Sequence, residues 1–247
     1  MMILEIKDLH ADAEQRNVLK GLNLKIKEGE LHVLMGPNGS GKTTLAKAIM
    51  GHPHVRITGG QILADGTLIN DMPVNERARL GLFLQFQNPI EIEGLGIVSF
   101  LNTARGSITA GKPANYREFM GEIKDNAQKL KLREDLIGRS LNYGFSGGEK
   151  KKMEILQMSM LKPKIAILDE PDSGLDIDAV RIVAQNINEA RKKTNAGMLL
   201  ITHYSRILSY MNPQFIHVMA DGKIAREGGK ELLAEIEKGG YGTGEDE

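Results

Sequence analysis

Short apolar segments alternate with helical stretches along this chain. Residues 82–85, 165–168, 198–201 and 215–219 are almost continuously apolar, which is typical of strands covered on both faces. Glycine and proline punctuate these segments, and longer stretches with helical character lie between them. The alternation predicts an α/β fold built around a largely parallel sheet.

The first third of the chain predicts three further strands, at residues 2–9, 22–26 and 31–35. A short polar turn, residues 27–30, joins the second strand to the third. Because so short a link is typical of antiparallel neighbours, we expect these two strands to pair. A small antiparallel β subdomain would then precede the parallel strands, in a mixed α/β architecture.

The pattern of short apolar segments that predicts strands is absent between residues 99 and 141. Pro113 and Asn115 stand where a helix would begin. Apolar side chains then recur at helical spacing on one stripe: Tyr116, Phe119, Ile123, Ala127 and Leu130. Residues 99–141 are therefore predicted to be a helical subdomain, inserted into an α/β core that consists of residues 1–98 and 142–238.

Composition narrows the classes of function. The chain has 247 residues and is 41% hydrophobic, which is enough for one domain with a continuous core. Lys plus Arg number 32, as do Asp plus Glu, so the net charge is zero and a nucleic-acid partner is not expected. The chain has no cysteine, so it can supply no thiolate to a metal or cluster.

The apolar runs are too short for a membrane span. They extend over only a few residues, whereas a spanning helix needs roughly 20. The first residues show neither the basic nor the apolar part of a secretory signal. We therefore expect a cytoplasmic protein that makes no direct contact with a membrane. Residues 239–247 are rich in glycine and acidic side chains and predict a mobile tail.

A phosphate-binding motif follows the third strand. It matches the pattern G-x-x-x-x-G-K-[ST], and a helical stretch ending at Gly51 comes next. Glycine lets backbone N–H groups surround phosphate oxygens. Lys42 would reach the β- and γ-phosphates of a nucleotide, and the Thr43 hydroxyl suits Mg²⁺. The residues predicted to hold the nucleotide are Gly36, Pro37, Asn38, Gly39, Ser40, Gly41, Lys42, Thr43 and Thr44.

Two acids end the buried strand at residues 165–168. Asp169 and Glu170 would lie at the carboxyl edge of the sheet, where ligands bind in α/β folds. Because neighbouring side chains on a strand point to opposite faces, the two acids need not do the same work. Asp169 would hold the hydrated Mg²⁺, and Glu170 would orient and deprotonate the attacking water.

A second helix with an exposed first turn begins at Ser146. This serine and the glutamate three residues later have the spacing of a capping box, which predicts a helix that ends at Leu161. Gly147 and Gly148 lower the helix propensity of the first turn, which favours a role for its amides in anion binding. The lysines at residues 150–152, taken alone, are typical of a solvated face.

The order of these motifs resembles that of the ABC-type ATPases. In that family residues 145–149 would be the signature sequence and residues 173–176 the D-loop. Gln87, which follows a strand, would be the switch glutamine at Mg²⁺ and the γ-phosphate, and His203 would be the switch histidine. The resemblance implies a RecA-like core and two chains that associate when ATP binds.

In such a pair, the phosphate loop of one subunit and the signature of the other enclose each nucleotide. The resemblance thus adds a second set of nucleotide contacts, made from the opposite subunit: Ser146, Gly147, Gly148 and Asp176. It also makes Glu170, His203 and Gln87 the catalytic residues.

A narrower resemblance is to the ATPases of the Suf iron–sulfur cluster assembly system, the SufC type. Phe145 and Glu149 fit this type, since most ABC ATPases have Leu and Gln there. The resemblance implies that ATP turnover moves Suf scaffold subunits, SufB-like and SufD-like, which must supply the cluster-binding thiolates. It extends over nearly the whole chain, and these segments carry it: residues 81–94, 144–151, 155–158, 172–178 and 202–208.

Two other functions stay open at this point. The same motifs fit the nucleotide-binding subunit of an ABC transporter, and they also fit a scaffold that binds ATP without hydrolysing it. Glu170 disfavours the scaffold, because a clamp has no need of a base beside Mg²⁺.

The base of the nucleotide lacks an obvious partner. Many ABC ATPases stack adenine on an aromatic residue ahead of the second strand, but residues 8–17 contain no Phe, Tyr or Trp, and Ala13 stands near that position. His10 and the stem of Arg16 are either substitutes or exposed loop residues. Base selection is therefore expected to be weak, with GTP a tolerable competitor of ATP.

Residues 88–96 follow Gln87 and combine apolar side chains with acids between glycines. An exposed segment that mixes Ile90, Ile92 and Leu95 with Glu91 is suited to carry closure around a nucleotide into a partner. A plain surface loop is the alternative. We expect the coupling role.

Overall fold

A six-stranded sheet forms the centre of the molecule. The structure is a computed structural model and describes residues 1–109, 111 and 115–242. Its strands are β1 (Ile3–Ala13), β2 (Arg16–Lys27), β3 (Leu31–Met35), β4 (Val55–Ala64), β5 (Thr67–Leu68), β6 (Leu82–Gln85), β7 (Ile92–Gly96), β8 (Ser140–Leu141), β9 (Ile165–Asp169), β10 (Gly197–Ile201), β11 (Phe215–Ala220) and β12 (Lys223–Gly228). Its helices are α1 (Lys42–Met50), α2 (Val74–Leu80), α3 (Ile97–Ile108), α4 (Tyr116–Lys129), α5 (Glu134–Ile137), α6 (Gly147–Leu161), α7 (Ile177–Thr194) and α8 (Lys230–Gly239), with a 3-10 helix at Ser205–Tyr210.

The central sheet has the order β12-β11-β3-β10-β9-β6. All neighbours are parallel except β12, which pairs antiparallel with β11 at one edge. The buried strands predicted near residues 82–85, 165–168, 198–201 and 215–219 are confirmed. Because parallel strands end at the same edge, the residues that follow β3, β6, β9 and β10 come together there.

The N-terminal antiparallel sheet has the order β2-β1-β4-β5, and the α/β fold class with this subdomain and inserted helices is confirmed. The predicted pairing of residues 22–26 with residues 31–35 is wrong. β2 pairs with β1, whereas β3 crosses to the central sheet and lies between β10 and β11. The physical reason is burial, since all five residues of β3 are buried and need cover on both faces.

Two apolar cores cover the two faces of the central sheet. Leu31, Val33 and Met35 pack into a core with apolar residues of α3, α4, α6 and α7, while Leu34 faces a second core with α1 and the antiparallel sheet. The chain thus forms layers, with the helical segment on one side and the antiparallel sheet on the other. The helix α1 lies in the second core, which fixes the loop that precedes it.

Helices α3 to α5 occupy the stretch expected to be helical. Asn115 caps α4 through its side chain, which accepts from the N–H of Arg117 at 3.0 Å, as predicted. The predicted buried stripe holds for Phe119, Ile123, Ala127 and Leu130. Tyr116 departs from it, because this first residue of the helix is 67% exposed. Pro113 lies outside the described residues.

The end of the described chain packs against the molecule. Helix α8 extends to Gly239, and Tyr241 is half-buried against the core that contains β3 and α7. The mobile tail expected from residue 239 stays a prediction, and residues 243–247 lie outside the described residues. In the parts of the chain that the structure covers, no helix has the length and apolar character needed to cross a membrane.

Candidate nucleotide-binding site

The phosphate loop connects β3 to α1 at the carboxyl edge of the central sheet. Gly36 has a φ of 143°, and a Cβ there would lie 2.1 Å from the carbonyl oxygen of Met219 on β11. Gly41, with a φ of 109°, precedes the first residue of the helix. Glycine alone fits both requirements, a left-handed backbone and close approach to the neighbouring strand. The loop is thus shaped by its glycines before any ligand binds.

Lys42 is buried beneath this loop. Its Nζ donates to the carbonyl oxygens of Gly36 and Pro37, at 2.8 Å each. Burial lowers the pKa of Lys42 to about 8, against the opposing effect of Glu170 and Asp169. The side chain therefore remains mostly protonated at pH 7. A buried ammonium and the amides at the start of a helix make a site for anions.

Asp169 ends β9 next to the phosphate loop. Its side chain is buried, and among the described residues its Oδ1 has no hydrogen-bond partner. Burial raises the pKa of Asp169, and the neighbouring Thr43 side chain only partly opposes this shift. A buried carboxylate oxygen left without a partner costs free energy, and a divalent cation with oxygen ligands would satisfy it. Asp169 and Thr43 therefore fit a Mg²⁺ ion.

Glu170 is the meeting point of the predicted catalytic residues. Gln87 Nε2 donates to its Oε2 at 3.0 Å, and His203 Nε2 lies 3.3 Å from its Oε1. The backbone of Glu170 has a φ of 50°, in the left-handed region that non-glycine residues rarely adopt. Burial, and next the charge of Lys42, lower the pKa of His203, which favours the neutral form of its ring. The structure thus brings Glu170, Gln87 and His203 together.

Lys151 is a contact that the sequence reading missed. It was expected on a solvated face, but it is buried, and its Nζ donates to the backbone oxygens of Gln87 at 2.5 Å and Glu170 at 2.8 Å. Burial lowers the pKa of Lys151, against the nearby carboxylates. The signal was its helical phase, since the residues four and seven positions later, Ile155 and Met158, are buried as well. One ammonium therefore links the segment after β6 to the segment after β9.

The segment after Gln87 is anchored to the signature region. Glu91 accepts from Lys150 Nζ at 2.6 Å and from the N–H of Gly144 at 3.1 Å. Asn142 Nδ2 donates to the carbonyl oxygen of Ile90 at 2.9 Å, and β7 pairs with β8. Residues 88–96 are thus an anchored segment and not a free loop. Ile90 and Ile92 nevertheless stay 66% and 41% exposed.

The signature residues lie apart from the phosphate loop of their own chain. The predicted capping box is confirmed, because Ser146 Oγ accepts from the N–H of Glu149 and the glutamate side chain accepts from the N–H of Ser146. Asp176 caps α7 by accepting from the N–H of Ala179 at 2.7 Å. Of the described residues, those that line the nucleotide cleft include neither Asp176 nor any residue from Ser146 to Gly148.

The cleft beside the phosphate loop has a volume of about 580 Å³. Gln87, Glu170, His203 and residues of the phosphate loop line it. It is also lined by residues of the β1–β2 hairpin, of the loop after α1 and of the start of β4: Ala13, Glu14, Arg16, Asn17, Val18, His54 and Val55. His10 was one of the expected substitutes for the missing aromatic residue, but it is not among the described residues that line the cleft. Its Nε2 lies 3.3 Å from Asp8 Oδ1.

Glu154 on α6 predicts a pH dependence of stability. Burial raises its pKa from 4.5 to about 7, although its Oε2 accepts from the N–H of Phe86 at 3.1 Å. Between these two values the folded state binds a proton that the unfolded chain has released, so this group's stabilising contribution falls as pH rises through that window. At pH 8 the free energy of unfolding of Glu154→Gln should therefore exceed that of wild type by up to about 3 kcal/mol.

The measurement is urea denaturation at pH 5 and pH 8. The advantage of Glu154→Gln should shrink to less than about 1 kcal/mol at pH 5, where the wild-type acid is neutral in the folded state and the unfolded chain has only begun to release its proton. Glu76→Gln, a substitution at an exposed position on α2, serves as the control and should leave the free energy of unfolding unchanged at both pH values. An equal advantage of Glu154→Gln at both pH values would contradict the assignment.

The fold and the site together define a phosphate-loop nucleotide-binding protein of the α/β class. The sequence profile of the family described as ABC transporter matches residues 19–173, more than half of the chain. The protein therefore belongs to the ABC transporter family, whose ATP-binding cassette it represents. The family assignment made from the order of motifs is confirmed at this level.

Individual relatives cover nearly the whole chain. It is 49% identical to a probable ABC transporter ATP-binding protein of Streptococcus pyogenes serotype M3, over 98% of this chain and 94% of the relative. It is 47% identical to the probable ATP-dependent transporter ycf16 of Cyanophora paradoxa, over 97% and 93%. A solved ATP-binding subunit of an ABC transporter has the same fold, with a TM-score of 0.78, 26% identity and coverage of 97% and 95%.

Proposed function

We propose that the protein is a Mg²⁺-dependent ATPase. The observation that carries the proposal is the placement of Glu170, whose two carboxylate oxygens face Gln87 and His203 at the edge where the phosphate loop opens. A carboxylate held in this way can accept the proton of an attacking water. Lys42 and the amides of the loop would bind the phosphates and stabilise the charge that develops on them.

Thr43, Asp169 and Gln87 are the residues we assign to Mg²⁺. When bound, the ion would neutralise part of the charge of the phosphates. The unpartnered oxygen of Asp169 and the Thr43 hydroxyl favour this assignment. Gln87 would give up its bond to Glu170 to join them. Phosphate release measured with Mg²⁺ and with excess chelator tests the requirement, and undiminished release in chelator would refute it.

We also propose that two chains associate when ATP binds. Support comes from the signature, whose helix start is exposed but lies outside the cleft of its own chain. Ser146, Gly147, Gly148 and Asp176 can then contact a nucleotide only from the opposite subunit. Exposed apolar side chains flank the D-loop and the switch histidine, since Ile177 is 70% and Tyr204 is 52% exposed. Both are suited to a contact that forms on closure.

The process that this ATPase drives is, in our proposal, iron–sulfur cluster assembly on Suf scaffold subunits of the SufB and SufD type. The SufC-like segments around Gln87, Ser146 and His203 support it. The competing function is the nucleotide-binding subunit of a membrane transporter, which the names of the relatives favour. The two functions share the hydrolysis site and differ in the partner.

Co-purification distinguishes the two. The tagged chain is purified from its native cells after mild detergent extraction, and its partners are identified by mass spectrometry and assayed for iron. Soluble partners that carry iron support the Suf function, whereas a subunit with membrane-spanning helices supports the transporter. Glu170→Gln serves as a second bait, since slow turnover should retain a partner that prefers the ATP-bound state.

Ile90 and Ile92 are proposed to contact the partner. Both side chains are exposed. They belong to the segment that follows Gln87 and that Glu91 anchors to Lys150 on α6, which favours this role. The double variant Ile90→Ser/Ile92→Ser should weaken binding to the Suf subunits and any stimulation by them, while basal ATP turnover is largely kept. Calorimetry with the purified partner measures the affinity. The control is Leu68→Ser, because Leu68 is 50% exposed on the antiparallel sheet. Unchanged affinity in the double variant would place the docking surface elsewhere.

A further inference from the structure

The part of the cleft that Ala13, Arg16 and Val55 line lies at an edge shared by three strands. Ala13, where an aromatic residue is missing, pairs with Arg16 on β2 and with Val55 on β4. His54 comes directly before Val55, in the turn that leads into β4, so it lies diagonally across from Ala13. An imidazole ring therefore stands at the start of the strand next to the one that lacks an aromatic side chain.

The distance along α1 suits a nucleoside. This helix starts at Lys42 under the phosphate loop and ends at Met50, a rise of about 12 Å. Residues just after it are therefore about one nucleoside away from the phosphates. His54 and Val55 belong to this connection, and they line the same cleft as Lys42 and Thr43.

Several observations distinguish His54 from the other candidates in this part of the cleft. Its N–H donates to His52 Nδ1 at 3.3 Å, and the two rings meet edge to face with centroids 5.0 Å apart, which restrains the His54 ring. Its side chain is exposed to the cleft and not packed into a core. His10 is not among the cleft residues. Arg16 lines the cleft but has no aromatic face.

We propose that His54 is the group on which the nucleotide base stacks, with Val18 and Val55 as the apolar floor of the base site. The inference rests on the proposed nucleotide site and adds the residue that recognises the base. Stacking reads the flat face of a base and not its hydrogen-bonding edge, so adenine and guanine should bind about equally well. The expected tolerance for GTP stays a prediction, and His54 supplies its physical reason.

Calorimetric titrations with ADP and with pyrophosphate, both with Mg²⁺, separate the base from the phosphates. His54→Ala should weaken ADP binding by about 2- to 13-fold, the usual range for one stacking contact, and leave pyrophosphate binding unchanged. His54→Phe should restore the affinity for ADP. The matched control is His10→Ala, which removes a histidine from outside the cleft and should bind both ligands like wild type.

Three results would overturn the inference. They are an unchanged affinity of His54→Ala for ADP, an equal loss of affinity for pyrophosphate, and a loss of ADP binding in Arg16→Ala that His54→Ala does not show. The last result would assign the base to the arginine. If wild type bound neither ADP nor pyrophosphate, the phosphate site itself would be refuted, and with it the proposed function.

Discussion

Glu170→Gln is expected to slow ATP hydrolysis about 10²- to 10⁴-fold while ATP still binds. The amide has nearly the same shape and keeps an oxygen for the bond from Gln87 Nε2, but it cannot take a proton from water. Single-turnover release of phosphate measures the chemical step, and ADP titration measures binding. The ATP-bound form should accumulate in this variant.

The same variant tests the pairing of chains. Size-exclusion chromatography with ATP and Mg²⁺ should show Glu170→Gln as a dimer, since hydrolysis no longer reopens the pair. Glu76→Gln is the matched control, because it makes the same chemical change on an exposed helix and should turn over like wild type. A variant that hydrolyses ATP at the normal rate would remove Glu170 from its proposed role. A variant that stays monomeric with ATP would require another mechanism of closure.

Lys42→Met is expected to lower kcat/KM by about 10²- to 10³-fold, the usual effect of removing one preorganised group that stabilises charge in the transition state. The methionine keeps the volume of the side chain but supplies no charge. It also leaves the carbonyl oxygens of Gly36 and Pro37 without the ammonium that now binds them at 2.8 Å. The phosphate loop should therefore both bind and position the phosphates less well.

The control for charge is Lys47→Met on the same helix. Lys47 also lines the cleft, but no bond from its side chain to the phosphate loop is found in the described structure. Steady-state kinetics over a range of ATP concentrations separates the two lysines. A loss confined to Lys42→Met identifies a specific contact, whereas equal losses in both variants would show that only the overall positive charge of the cleft matters.

Local sequence features predicted the parts of the site that local forces build. The phosphate loop needs a left-handed backbone at Gly36 and Gly41, and only glycine adopts it without strain next to Met219. The cap at Ser146 joins groups three residues apart. Such features are visible in a sequence because all the interacting groups belong to one short segment.

Contacts between distant segments were decided by the tertiary structure. Lys151 is 64 residues from Gln87 in the chain, and although its helical phase marks it as buried, no local feature shows that it contacts that residue. β2 and β3 follow each other closely but belong to different sheets, because β3 needs cover on both faces. His54 enters the cleft only through the pairing of Val55 with Ala13.

By itself, then, the sequence determined the phosphate loop, the helix starts, the acids after β9 and the α/β class, since each depends on backbone conformation or on burial period within a few residues. Only the tertiary structure decided which strands pair, which residues Lys151 contacts, and that the signature lies outside the cleft of its own chain. The physical reason is that periodicity reports how much of a segment is buried but not which other segment buries it.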